Sequence, residues 1–311
     1  MKDSLKSAIF GFVTADALGV PVEFCTRQER REDPVEEMRG YGTYFQPPGT
    51  WSDDSSMTLC TVCSLTHGLD YRDLADRFVD WAFRSQMTAT GKAFDIGGTT
   101  YSSLTRYTKG AEPTESGGAA EHNNGNGALM RILPAAFYLE KHPENRYQVI
   151  SNLACITHAH IRSTLACALY VDTAAALLHG ADLCSAWEQA KRQLRAAYAD
   201  EARAAEELAR IGQLYLDEDI FSWEEDRLDT DGEVFGTLVA ALWCLKHTDS
   251  YRDCVLRAVN LGADTDTVAA VAGGLAGIVY GYDAIPQEWL DILARRDEIA
   301  VWVEEFAEAL K

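Results

Sequence analysis

The chain is short of positive charge. Its 28 Lys and Arg residues face 48 Asp and Glu, a formal charge of −20 at pH 7. A surface of that sign repels phosphate backbones and anionic lipid, so neither nucleic acid nor a membrane is an expected partner. Long hydrophobic runs are also missing. The longest, Val268 to Tyr280, has 13 residues, against the roughly 20 that cross a bilayer. The N-terminal MKDSLKSAIFGFVTADALG has no secretory pattern, because Asp16 interrupts its apolar stretch and no small-residue cleavage site follows. Alternating β-branched runs are almost absent, which removes all-β architectures. No internal repeat of roughly 20–50 residues occurs, which removes solenoids and propellers.

What is present points to a folded helical protein. Hydrophobic residues make up 47% and charged residues 24%, the balance of a globular chain. Eight cysteines are scattered through mostly apolar stretches, the usage of a reducing compartment, so a cytoplasmic location is expected. Length allows one large domain or two. No composition break marks a linker, so residues 1–311 are read as a single domain.

Helical period dominates. Leu5, Ile9, Phe12 and Val13 step by three and four, as do Leu74, Phe78 and Trp81 behind the cap candidate Asp70. Helices are predicted over 146–157, 165–179, 186–216, 236–246, 251–260 and 267–282. Pro134 should kink or restart the helix that begins near Gly127. Three segments escape the pattern: Gln28 to Trp51, Lys109 to Gly127 and the acidic Leu216 to Glu233. Loops this long inside a folded domain are functional or disordered. The expected class is all-α.

Two acidic pairs carry the chemistry. Ser52-Asp53-Asp54 and Asp264-Thr265-Asp266-Thr267 each stand at a loop-to-helix junction. One Asp before a helix is explained by capping. Two tight pairs, each flanked by hydroxyls, are not. If the four carboxylates converge, neighbours at ~4 Å repel by about 4 kcal/mol at an effective dielectric of ~20. Two divalent cations would neutralise them, and oxygen donors select hard ions, Mg²⁺ or Mn²⁺.

Six motifs in order extend this reading: GFVTADALGVPVE (11–23), WSDDSSMTL (51–59), DIGGTT (95–100), GNGALMR (125–131), THAH (157–160) and LGADTDTVAAVAGGLAGIVYG (261–281). Together they resemble the ADP-ribosylglycohydrolase family, across nearly the whole chain. The resemblance implies a compact orthogonal bundle of helices with a binuclear Mg²⁺ or Mn²⁺ centre. Its metal ligands fall on Ser52, Asp53, Asp54, Asp264, Asp266 and Thr267, and its mobile glutamate on Glu23. Substrate contacts fall on Asp95, Gly97 and Gly98, on Asn126 and Gly127, and on His158 at the cleft wall. The implied reaction is hydrolysis of the bond between C1″ of ADP-ribose and an acceptor, most often arginine, through an oxocarbenium-like transition state. Glu23 and Asp54 are the candidates for the catalytic base, and the sequence does not choose between them. The implied partner is an ADP-ribosylated protein or a small ADP-ribose conjugate, met by a monomer.

The sequence departs from the family pattern in places. Ala263 stands where a second glycine is frequent, which would strain the turn if that position needs positive φ. Ile161 replaces a frequent proline, and Ser52 replaces threonine while keeping the hydroxyl. Cys60 and Cys63 form a lone C-x-x-C, read as core thiols. Trp51, Tyr101 and Tyr107 lie near the motifs and are candidates for stacking on adenine. Another linkage (serine, O-acetyl-ADP-ribose or a nucleobase) and a non-catalytic, crystallin-like member are the alternatives.

Overall fold

A computed structural model describes residues 2–311, apart from the Arg203 side chain. Its α-helices are α1 (Lys2–Gly19), α2 (Arg27–Glu32), α3 (Asp53–Thr66), α4 (Tyr71–Arg84), α5 (Gly98–Thr108), α6 (Leu133–Lys141), α7 (Arg146–Cys155) and α8 (Ile161–Leu178). They continue with α9 (Leu183–Ala197), α10 (Ala202–Ile211), α11 (Val234–Lys246), α12 (Tyr251–Val259), α13 (Thr265–Tyr280), α14 (Gln287–Ile292) and α15 (Arg296–Ala309). Among the described residues there is no strand, only two isolated bridges, Gly118 with His158 and Gly125 with Glu233. The fold is all-α.

The central pair is α1 against α13, and glycines let their backbones touch. A Cβ on Gly277 would lie 2.2 Å from the Ser7 carbonyl oxygen, and one on Gly11 would lie 2.5 Å from that of Gly273. Gly19 meets Thr265 and Asp266 in the same way, and the Thr265 hydroxyl donates to the Gly19 carbonyl at 2.8 Å. The contacts descend α13 as they climb α1, so the two helices run antiparallel. The C-terminal end of α1 therefore meets the N-terminal end of α13, which carries the late acidic pair. Around them α8 and α11 are buried along almost their full length, and Trp81, Trp187 and Trp243 all lie in the core. Each such side chain removed from water contributes roughly 1.5–3 kcal/mol.

Several sequence expectations are corrected. The helix expected over 186–216 is interrupted: α9 stops at Ala197, α10 starts at Ala202, and Gly212–Leu216 forms a wider π turn. The excursion from Gln28 contains α2, closed by a capping box in which Thr26 and Glu29 satisfy each other's amides. Of the two outcomes expected at Pro134 the structure shows the restart, because a 3₁₀ stretch, Asn126–Arg131, ends before α6 begins. The longest uninterrupted run understated the apolar helices. Lys2–Val22 and Ile161–Leu178 both reach spanning length and hydropathy, although 89% of each window is buried inside the fold. Polar residues such as Asp16 and Asp172 break the run without making either helix polar overall.

Candidate metal centre and cleft

The site is built on Asp16, which the sequence reading passed over. Buried in α1, it accepts hydrogen bonds from the Ser52 amide at 3.0 Å, the Ser55 amide at 3.0 Å and the Ser55 hydroxyl at 2.5 Å. It therefore fixes the N-terminus of α3 to α1. Burial pushes its pKa up to about 6, against four donor contacts that pull the other way. Ser52 is the N-cap of α3, its hydroxyl accepting from the Asp54 amide at 3.3 Å. Asp53 and Asp54 are the first residues of α3, not residues preceding it, and α13 starts at Thr265 with Asp264 as its N-cap. At Asp264 the backbone is still non-helical (φ −83°, ψ 74°), which frees it from the i,i+2 divergence of a helix.

The two acidic pairs meet. The Asp54 carboxylate accepts from the Ser52 hydroxyl at 3.2 Å and from the Thr267 hydroxyl at 3.3 Å. Asp264 accepts from the Asn126 amide nitrogen at 2.7 Å, which ties in the glycine turn. Glu23, Asp95 and Asp266 offer carboxylate oxygens that all lie within 4.8 Å of one another. Asp95, expected as a substrate contact, thus stands inside the acidic centre. It adopts a left-handed φ of 57°, and the Tyr44 hydroxyl lies against both Asp95 and Glu23.

Electrostatics and hydrogen bonding point the same way. Burial, then neighbouring carboxylates, drive Asp53, Asp54 and Asp266 well above the usual range and Glu23 to about 9. Asp264 is raised chiefly by burial, against donors from Asn126 and Thr267. Glu23 Oε2, Asp54 Oδ1 and Asp266 Oδ2 are buried with no hydrogen-bond partner among the described residues. Such orphaned acceptors are costly unless a cation answers them. Oxygen-only donors fit a hard divalent ion.

A cleft of about 310 Å³ opens from this centre and holds every expected substrate contact: Asp95, Gly97, Gly98, Asn126, Gly127 and His158. Asp53, Asp264, Thr267 and Glu23 also line it. Gly97 and Gly98 start α5 with no side-chain cap, leaving its first amides open to the cleft. His158 is buried and kept neutral: burial, helped by Arg131, lowers its pKa to about 3. Its Nδ1 lies 3.0 Å from the Thr157 hydroxyl, which also accepts from Arg131 at 2.8 Å. The ring packs over Gly127, where a Cβ would stand 2.6 Å from the His158 ring. Glycine is required there by close approach.

Ala263 does occupy the strained conformation, at φ 62°. Its amide donates to the Cys25 carbonyl, and its carbonyl accepts from the Phe24 amide, both at 2.7 Å. Phe24 is itself left-handed at φ 64°. This pair of hydrogen bonds locks the segment after Glu23 against the turn before Asp264. None of the stacking candidates lines the cleft. Trp51 is in the core, donating to the Ala294 carbonyl, and Tyr107 bonds to Asp76. The lone C-x-x-C pair is free thiol, with burial pushing Cys63 to about 11. Besides Asp16, the sequence reading missed Tyr44. The only sequence signal for Asp16 was a charge inside an apolar helix; Tyr44 sat in a loop with none.

Fold and site together define an all-helical protein with a buried carboxylate centre at the end of a glycine-lined cleft. A sequence profile of the ADP-ribosylglycohydrolase family matches residues 1–311, and the chain belongs to that family. It is 30% identical over 305 residues to the ADP-ribosylarginine hydrolase Tri1 of Serratia proteamaculans, covering 97% of this chain and 78% of that one. It is also 30% identical over 300 residues to the ADP-ribosyl-[dinitrogen reductase] glycohydrolase of Rhodospirillum rubrum, covering 95% and 92%. Among solved structures, an ADP-ribosylglycohydrolase-related protein complex superposes with a TM-score of 0.82 at 31% identity, covering 100% of this chain and 99% of that one.

Proposed function

We propose that this ADP-ribose-removing hydrolase acts on ADP-ribosylated arginine, with two Mg²⁺ or Mn²⁺ ions held by Asp53, Asp54, Asp264, Asp266, Ser52 and Thr267. The observation that carries the reading is the set of three buried, donorless carboxylate oxygens on Glu23, Asp54 and Asp266 at the end of the cleft. A divalent ion there supplies charge to orient the ribose hydroxyls and lowers the pKa of the attacking water.

The chain's own groups do the rest. The open amides at the start of α5 and the turn Gly125–Gly127 receive the pyrophosphate, whose charge backbone N–H groups offset without lysine. His158, neutral and fixed by Thr157, presents a flat wall to the cleft. Asp95 and Tyr44 close over Glu23. Glu23, a carboxylate that lines the cleft and whose Oε2 has no hydrogen-bond partner among the described residues, takes the proton of the water that attacks C1″. Asp54 is the alternative base, but this reading uses its carboxylate to hold the ions, with Oδ2 also accepting from two hydroxyls. Retention of every one of these acids favours an active enzyme over a crystallin-like member. The Serratia and Pseudomonas putida relatives named as ADP-ribosylarginine hydrolases favour arginine over other linkages. We place the protein in the cytoplasm as a single-domain monomer that binds neither nucleic acid nor membrane.

The test is release of free ADP-ribose from an ADP-ribosylated arginine substrate, before and after exhaustive chelation. The proposal requires release that chelation abolishes and Mg²⁺ or Mn²⁺ restores. Release at an unchanged rate after chelation contradicts it.

A further inference from the structure

Beside the cleft lies a second hollow of about 660 Å³, and Glu23, Phe24 and Asp264 line both. Its far wall is the acidic loop that begins after Leu216, which the mechanism above leaves unused. That loop is pinned to the site by backbone. The Asp264 amide donates to the Thr230 carbonyl at 3.0 Å, and the Asn126 amide donates to the Gly232 carbonyl at 3.1 Å. Asp229 and Asp231 therefore stand at a fixed place on the mouth, with the Asp231 amide donating to Asp229 Oδ1 at 2.9 Å.

The hollow is negative despite two arginines in its wall. Arg27 spends its guanidinium on the carbonyls of Leu261, Glu225 and Leu228, at 2.8, 2.8 and 2.9 Å. Arg227 pairs with Glu218 at 2.6 Å and lies over the Trp223 ring. Asp229 and Asp231 are exposed and form no ion pair among the described residues. Glu23 is 5% exposed, and its Oε2 has no partner among the described residues. At the boundary between the two hollows the Phe24 ring is 65% exposed, held outward by the left-handed backbone that Ala263 clamps.

We propose that the second hollow is the acceptor site, receiving a cationic stretch of polypeptide around the modified arginine while the cleft holds ADP-ribose. The inference rests on the ADP-ribosylarginine reading above and adds a choice of substrate sequence. The bond to be cut must lie where the two hollows join, at Glu23 and Asp264, so the acceptor leaves through the space on the other side. Carboxylates there attract Lys and Arg flanks and repel acidic ones, and an exposed aromatic face suits a guanidinium. The nucleotide end has the opposite preference: its phosphates would be repelled by Asp229 and Asp231, and adenine gains nothing from them.

The experiment uses three peptides, each with one ADP-ribosylated arginine, flanked by lysines, serines or glutamates. The wild-type protein is compared with the Asp229→Asn, Asp231→Asn double variant. Both positions are exposed, and asparagine keeps the acceptor that Asp229 offers, so the variant folds. Wild type is expected to show a KM about ten-fold lower for the lysine peptide than for the glutamate peptide, at similar kcat. The double variant reduces that ratio to within about two-fold, as does high salt, which shortens screening to ~3 Å at 1 M. Inhibition by free ADP-ribose is expected to be alike in both proteins. Cleavage of all three peptides with equal KM, or a flank preference that survives the double substitution, overturns the acceptor assignment and leaves the arginine reading standing. Weakened ADP-ribose inhibition with an intact flank preference places the nucleotide in the hollow and also overturns it. If no peptide is cut while O-acetyl-ADP-ribose is hydrolysed, the arginine reading fails and the acceptor assignment falls with it.

Discussion

The Thr267 hydroxyl and the Asp54 carboxylate lie 3.3 Å apart, across 213 positions of the chain. That contact joins the start of α13 to the start of α3. It exists because Gly19 lets α1 touch α13 while Asp16 reaches from α1 to α3. A few hydrogen bonds thus hold together acids that repel one another.

Glu23 is predicted to act on the water rather than to hold the metal alone. Glu23→Gln should lower kcat by about 10²–10⁴, the range for loss of a general base. The divalent-ion concentration for half-maximal activity should shift by less than about ten-fold. Kinetics run alongside metal titration separate the two roles; equal loss of both would make Glu23 chiefly a ligand.

The His158 pocket predicts a pH effect on stability. The imidazole titrates at about 3 when folded and near 6.5 when unfolded. Between those values the unfolded chain takes up a proton that the native chain refuses. The contribution is therefore complete above pH 6.5 and declines as pH falls, with a slope of about 1.4 kcal/mol per pH unit. Urea unfolding at pH 7 and pH 5 should show wild type losing about 2 kcal/mol more than His158→Gln. Equal losses would mean that His158 is protonated in the native state.

Gly127→Ala should damage binding more than folding. The added methyl overlaps the His158 ring at 2.6 Å and must displace it into the cleft. Overpacking of this kind costs roughly 1–3 kcal/mol. An ADP-ribose inhibition constant raised by about ten-fold or more, with the helical signal intact, is the expected result. An unchanged constant would show that the ring does not contact ligand.

Ala263→Gly should stabilise the fold. A non-glycine residue in the left-handed region costs roughly 1–2 kcal/mol, partly offset by the entropy that glycine loses on folding. A net gain of about 0.5–1 kcal/mol in chemical denaturation is expected. A loss would mean that the methyl contributes packing which outweighs the strain.

The sequence revealed some layers of this structure better than others. Helical periodicity located most of the long helices, because apolar residues at every third or fourth place are a local signal. The acidic pairs were legible because two tight Asp pairs with hydroxyl neighbours exceed what capping explains. The helix that carries the late pair begins two residues earlier than predicted, at Thr265 rather than 267, so Asp266 lies within its first turn. Ala263 was flagged as a strain point from one missing glycine, and its φ of 62° bears that out. Asp16 and Tyr44 could not be found in the same way. Their importance comes from what α1 and the loop after α2 are packed against, and no local pattern encodes that. Asp95 lines the cleft with the other expected contacts but also stands beside Glu23 and Asp266, a neighbourhood that only tertiary contact sets.

The central claim is that acids from remote segments form one cage for hard divalent ions. Crystals of the wild-type protein and of Asp54→Asn, soaked in Mn²⁺ and measured for anomalous scattering, test it most directly. The account predicts strong anomalous density among Asp53, Asp54, Asp264 and Asp266 in wild type, and its loss or sharp weakening in the variant. Wild-type crystals with no density there, or a variant that keeps it undiminished, would contradict the account.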